Sequence, residues 1–135
     1  MSEFNGMTAE EYFATTFLNK SRRNRLLMEL TKPRRRTRGL DRFCHGTPDL
    51  IDLRKVLAYG PDLERKPEFE DFAKEHEEMV TILSPEPSVD LLELPFSEAV
   101  GVAVMCPDAV IIVGDGFSLI YGEAFGKRDK FLLTE

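Results

Sequence analysis

Apolar positions follow a helical rhythm through the first half of the chain and a strand-like one towards its end. Thr8-Ala-Glu-Glu11 reads as a capping box opening a helix, with Tyr12, Phe13, Thr16 and Phe17 on one face. Asn19 or Ser21 interrupts that helix or caps a second one, which carries Leu26, Leu27 and Leu30 opposite its arginines. Pro33 fits a first helical turn but not an interior, and Thr31 is a candidate cap. Leu40, Phe43 and Cys44 then predict a third short helix with a basic face, which Gly39 weakens by about 1 kcal/mol relative to Ala.

Gly46-Thr-Pro-Asp49 reads as a turn, and Leu50, Ile51, Leu53, Val56 and Leu57 as a further helical stripe stopped by Gly60-Pro61. Pro67 opens a helix with Phe69, Phe72, Ala73 and His76 on one face and acids outside. Residues 79–83 are its last turn or a short strand, and Ser84-Pro-Glu-Pro87 is a break. Leu91, Leu92 and Leu94 fit a short helix or an irregular crossing ended by Pro95. Residues 100–106, 109–113, 117–121 and 131–133 are rich in β-branched and aromatic side chains and read as strands. Asp115-Gly116 is a hairpin signal, and connections this short demand antiparallel pairing.

The expected fold is α+β: N-terminal helices, then a C-terminal antiparallel meander of three or four strands with helices over one face. It forms one domain over residues 8–135, with residues 1–7 read as a tag or disordered start. Residues 110–113 are apolar on both faces and so belong in the sheet's centre. The sheet's open edges need cover, which a dimer would provide.

Composition fits this picture. A chain of 135 residues, 42% hydrophobic, can build one core without metal or disulfides. Two cysteines, Cys44 and Cys106, are too few for a disulfide framework and read as buried thiols, although sequence alone leaves a bridge open. The segment before residue 20 lacks the apolar run of a signal peptide, and the longest apolar runs are too short to span a bilayer. The expected location is the cytoplasm.

Charge changes the picture more. Residues 1–40 hold nine Lys/Arg and four acids, a net of +5, whereas residues 41–135 hold nine and twenty, a net of −11. Seven arginines concentrate the positive charge: Arg22, Arg23, Arg25, Arg34, Arg35, Arg36 and Arg38. Two readings follow. The segment grips an acidic protein, a second copy or nucleic acid, or it packs beside the chain's own acidic residues 62–78 and is neutralised there. Guanidinium groups suit paired contacts to carboxylate or phosphate. The acidic remainder and the lack of a helix-turn-helix or RNA-binding strand signature count against nucleic acid.

No catalytic constellation emerges. Cys44-His45 is the sole close pair among Cys44, His45, His76 and Cys106, and adjacent helical residues point about 100° apart, a poor start for zinc. Cys106 and His76 match a thiol–base pair only in residue type, and the carboxylates from Glu68 to Glu78 read as a solvated face. Gly114-Asp-Gly116 and the segment from Gly122 to Gly126 match neither phosphate-binding glycine pattern and read as hairpin turns. No cofactor and no metal are expected.

Two stretches resemble a family of small bacterial proteins without an assigned function. One is Lys32-Pro-Arg-Arg35 with Leu40-Asp-Arg-Phe-Cys-His45 and Asp52-Leu53; the other runs from Gly101 to Cys106, then Leu119-Ile-Tyr-Gly-Glu123 and Arg128 to Leu133. They cover under half of the chain, and Gly39 stands where the resemblance implies a large apolar residue. The resemblance implies a cytosolic bacterial protein and carries no catalytic residue. The expectation is a small non-enzymatic interaction or regulatory module that meets an acidic partner or itself. Nucleic-acid binding through residues 22–38 is the alternative, and a membrane is not expected as a partner.

Overall fold

In the computed structural model, which describes residues 4–135, the apolar stripes resolve into three helices laid against one face of a sheet. Helix α1 (Ala9–Phe17) starts at the anticipated capping box: the Thr8 hydroxyl accepts from the Glu11 N–H at 3.1 Å, and Glu11 accepts from the Thr8 N–H at 3.3 Å. Helix α2 (Lys20–Leu30) follows, then α3 (Pro33–His45) with Pro33 in its first turn, and the short α4 (Thr47–Leu50). Tyr12, Phe13, Phe17, Leu26, Leu30, Leu40 and Phe43 pack together as one core layer. Phe4 is buried too and stacks on Tyr12, with ring centroids 4.9 Å apart.

Six antiparallel strands form the sheet in the order β1-β6-β5-β4-β2-β3. They are β1 (Val56–Tyr59), β2 (Met79–Leu83), β3 (Glu93–Pro95), β4 (Val110–Gly114), β5 (Phe117–Ala124) and β6 (Lys127–Thr134). The β4–β5–β6 meander has the predicted turns. Gly116 and Gly126 take positive φ, as Gly60 does after β1. β4 is an interior strand, as its unbroken apolar run requires.

Four expectations are corrected. The strands are not confined to the C-terminal part, because β1 begins at residue 56 and the sheet has six strands. The stripe over residues 50–57 is not a helix: α4 stops at Leu50, Ile51 bridges to Leu18, a single 3₁₀ turn covers Leu53–Lys55, and β1 follows. A helix in this place would leave the outer edge of β6 bare. Residues 100–106 belong to helix α6 (Phe96–Met105), not to a strand. Its buried side chains Phe96, Ala99 and Ala103 fall at i, i+3 and i+7, and that spacing outweighs the valines' strand preference. Leu94 lies in β3, which Pro95 closes.

The fourth correction concerns cover. Helices occupy both faces of the sheet, not one. Odd-numbered residues of β4, Ile111 and Val113, join the α1–α3 core; the even-numbered Val110 and Ile112 join a second core with Phe69 and Phe72 of α5 (Pro67–Glu75) and with α6. Helix α6 carries the chain from β3 across β2 to β4 on this second face. Arg128 fastens it there, donating to the carbonyls of Ala103 (2.9 Å) and Cys106 (3.0 Å) at the helix's C-terminal end.

Candidate interaction surface

Helices α2 and α3 form a hairpin turned at Thr31 and Lys32. Gly39 sets their distance: a Cβ on Gly39 would stand 2.9 Å from the Glu29 Cβ. The large apolar residue implied by the resemblance therefore has no room there. In the seam left by this glycine lies the buried Glu29 carboxylate. Arg42 grips it bidentately, one contact being Nη1 to Oε2 at 2.8 Å, and Arg25 lies 3.9 Å from Oε1.

This seam joins two rows of arginines. Arg22, Arg25 and Glu29 stand at i, i+3 and i+7 on α2; Arg34, Arg38 and Arg42 at i, i+4 and i+8 on α3, with Arg35 beside them. Arg22, Arg25, Arg34, Arg35 and Arg38 are all exposed. Residues 20–42 carry ten Lys/Arg against Glu29 and Asp41, a net of +8, on a chain whose total is −6. Arg42 was not singled out from the sequence, although its spacing from Arg34 and Arg38 was the available signal.

Two of the seven predicted residues stand apart. Arg36 points into the molecule, half-buried, and donates to Asp90 at 2.8 and 3.0 Å, to Glu10 at 2.5 Å and to the Leu30 carbonyl at 3.2 Å. The Asp90 hydrogen bond, against the cost of burial, holds its guanidinium above its ordinary pKa. Asp90 also accepts from the Ser84 N–H at 3.1 Å, so Arg36 ties α1, the α2 end and the β2–β3 connection together. Arg23 is half-buried, and its Nε lacks a hydrogen-bond partner among the described residues.

Neutralisation by residues 62–78 does not occur. Helix α5 packs on the opposite face of the sheet, and none of the ion pairs among the described residues joins that stretch to residues 22–38. Glu64 is instead held by Lys130 and by the Tyr121 hydroxyl at 2.9 Å. Burial is the largest single influence on the Glu64 carboxyl and would raise its pKa; hydrogen bonds from Lys130, its own backbone and Tyr121 together lower it below the ordinary carboxylate value.

The other sequence-level candidates are dispersed. Cys44 and Cys106 are both free and buried, and burial pushes the Cys44 thiol far above its ordinary range, which makes it a poor nucleophile. His45 ends α3 between Asp41 (Nε2 to Oδ1, 3.4 Å) and Glu123, which contacts Nδ1. The carboxylates thus lie at different ring nitrogens rather than converging on one point. Among the described residues no group of three His, Cys, Asp or Glu side chains is placed to hold a metal ion. His76 stacks on Phe72 at 4.0 Å between ring centroids, and its Nδ1 meets Glu78 at 2.5 Å. None of the helices among the described residues is long and apolar enough to cross a membrane.

No family model, no curated protein and no solved structure matches the chain. The resemblance noted in the sequence therefore assigns no role to any residue of this surface.

Proposed function

We propose that this protein is a non-enzymatic interaction module that presents the outer face of the α2–α3 hairpin to an acidic segment of a partner protein. One observation carries the reading: five exposed arginines lie in two adjoining rows, and the acidic helix of the same chain sits on the far side of the sheet. Their charge is therefore directed outwards. Each of the five exposed cations is Arg, whose planar fork fits a carboxylate with two parallel hydrogen bonds, as Arg42 already does to Glu29.

A local acidic segment suits this surface better than nucleic acid. Beyond residues 20–42 the chain carries eight Lys/Arg and twenty-two acids, a net of −14. A short acidic peptide can stay within the Debye length of about 8 Å around the arginines, whereas a long polyanion is opposed more strongly by the net negative charge of the rest of the chain. We place the protein in the cytoplasm on the same reading, since its buried free thiols suit a reducing compartment.

Fluorescence anisotropy with a labelled oligo-glutamate peptide and a labelled DNA duplex, at graded salt, tests the reading. The peptide should bind at low salt, and Arg22→Glu, Arg25→Glu, Arg35→Glu and Arg38→Glu together should abolish it. Tighter DNA binding, with a steep salt slope, would favour a nucleic-acid surface instead. Binding to neither probe removes both.

A further inference from the structure

We infer that the acidic partner of the α2–α3 surface is helix α5 of a second copy of this chain, so that copies join head to tail. The inference rests on the binding function proposed above and names its partner. Residues 68–78 hold six exposed carboxylates, Glu68, Glu70, Asp71, Glu75, Glu77 and Glu78, against one cation, Lys74. Arg65 and Lys66 precede the helix, and with them residues 62–78 still carry eight acids against three Lys/Arg, a net of −5. Lys66 lies back on Gly60, where an added Cβ would stand 3.2 Å from its Cε.

Both surfaces keep their charge uncompensated within the molecule. Among the described residues Glu68, Asp71 and Glu75 enter no ion pair, and neither do Arg22, Arg34, Arg35 and Arg38. The two faces cannot meet in one chain, because α2 and α3 cover one side of the sheet and α5 the other. Their spacing also matches. Glu68, Asp71 and Glu75 stand at i, i+3 and i+7, a stripe about 10 Å long. Arg22, Arg25 and Glu29 repeat that spacing, and Arg34, Arg38 and Arg42 span about 12 Å beside them. An acidic helix laid along the seam thus sets its carboxylates within reach of guanidinium groups from both rows.

A foreign acidic segment would satisfy the arginines and leave the α5 stripe bare; a second copy satisfies both. Opposite placement then decides the form of the assembly. A closed two-fold dimer needs both patches on one side, so that each copy gives and receives across a single interface. Here the patches lie on opposite faces of the sheet, so a contact through one copy's arginines leaves its own α5 open to a third copy. The assembly grows past a dimer, as an open chain or a ring. Each copy carries −6 overall, so copies repel at a distance and attract only where +8 meets −5, within a Debye length of about 8 Å.

Sedimentation velocity on the full chain at rising concentration should show a mass that passes that of a dimer, and that falls back to the monomer towards about 1 M salt, where the Debye length is about 3 Å. Two sets of neutral variants separate the faces. Arg22→Gln, Arg34→Gln, Arg35→Gln and Arg38→Gln together leave only the acidic face; Glu68→Gln, Asp71→Asn and Glu75→Gln together leave only the basic one. All of these side chains are exposed, so both variants should stay folded by circular dichroism. Each alone should be a monomer, and an equal mixture should form a one-to-one dimer and nothing larger. A parent that is monomeric at every concentration or stops at a dimer overturns the inference, as does a mixture that fails to pair. The labelled oligo-glutamate peptide then shows which level failed. Binding to the variant with the intact basic face keeps the arginine surface for a foreign acidic partner, and no binding removes the binding function as well.

Discussion

Gly39 shows how one residue can be read correctly for the wrong level of structure. As a helical residue it costs about 1 kcal/mol relative to Ala. As a contact it permits α2 and α3 to close on the buried Glu29, whose Cβ would stand 2.9 Å from an added Cβ. Gly39→Ala should therefore destabilise the protein by about 1 kcal/mol net, and Gly39→Leu by more, as overpacking outweighs the propensity gain. Urea denaturation measures both, and a more stable Gly39→Ala variant would show that the seam opens freely. Arg36 makes the converse case. Counted with the exposed arginines in the sequence, it holds Glu10 and Asp90 together inside the molecule. Arg36→Met should cost about 2 kcal/mol or more, while peptide binding by the folded fraction stays within about twofold of the parent. Glu64 supplies a pH signature. Its carboxyl is held below its ordinary pKa, so the stability it adds is complete above the usual carboxylate range and is lost as pH falls through its lowered value. The gap in stability between the parent and Glu64→Gln should be widest near neutrality and should close as pH falls below the usual carboxylate range.

At the scale of elements, legibility followed the strength of local signals. The capping box at Thr8, the proline starts at Pro33 and Pro67, and the Asp115-Gly116 turn were all visible, because each is fixed by chemistry within four residues. The stretch over residues 50–57 was not, since its strand exists only because β6 offers an edge far away in sequence. Helix α6 was hidden by its valines; the small residues at 99 and 103, spaced for close packing, were the better guide. The arginine rows were legible as charge. Their placement away from α5 was not, because periodicity says nothing of which side of a sheet a helix takes. Docking of α3 and α4 on β5 rests on another close approach: a Cβ on Gly122 would come within 2.3 Å of the Thr47 Oγ1 and 3.2 Å of the Cys44 carbonyl. Gly122→Ala should cost about 2 kcal/mol. Thr47→Ala in the same chain should recover part of that loss and leave the part due to the Cys44 carbonyl, a non-additivity that a double-mutant cycle reads directly.

For the molecule as a whole, the strand order has a consequence for how the protein is made. β6 joins β1 on one side and β5 on the other, yet it follows every other strand in the sequence. A chain leaving the ribosome therefore exposes the apolar faces of α1 to α3, and then of α5 and α6, before the strand that completes their platform is synthesised. Such a non-local arrangement closes slowly, and its unfinished form shows bare strand edges to the crowded cell. A released chain that ends before Lys127 should bind a holdase chaperone and be cleaved readily by protease, and one that runs through Thr134 should do neither. The sheet that separates a basic face from an acidic one is thus also a clasp, and the hand that fastens it arrives after everything it has to hold.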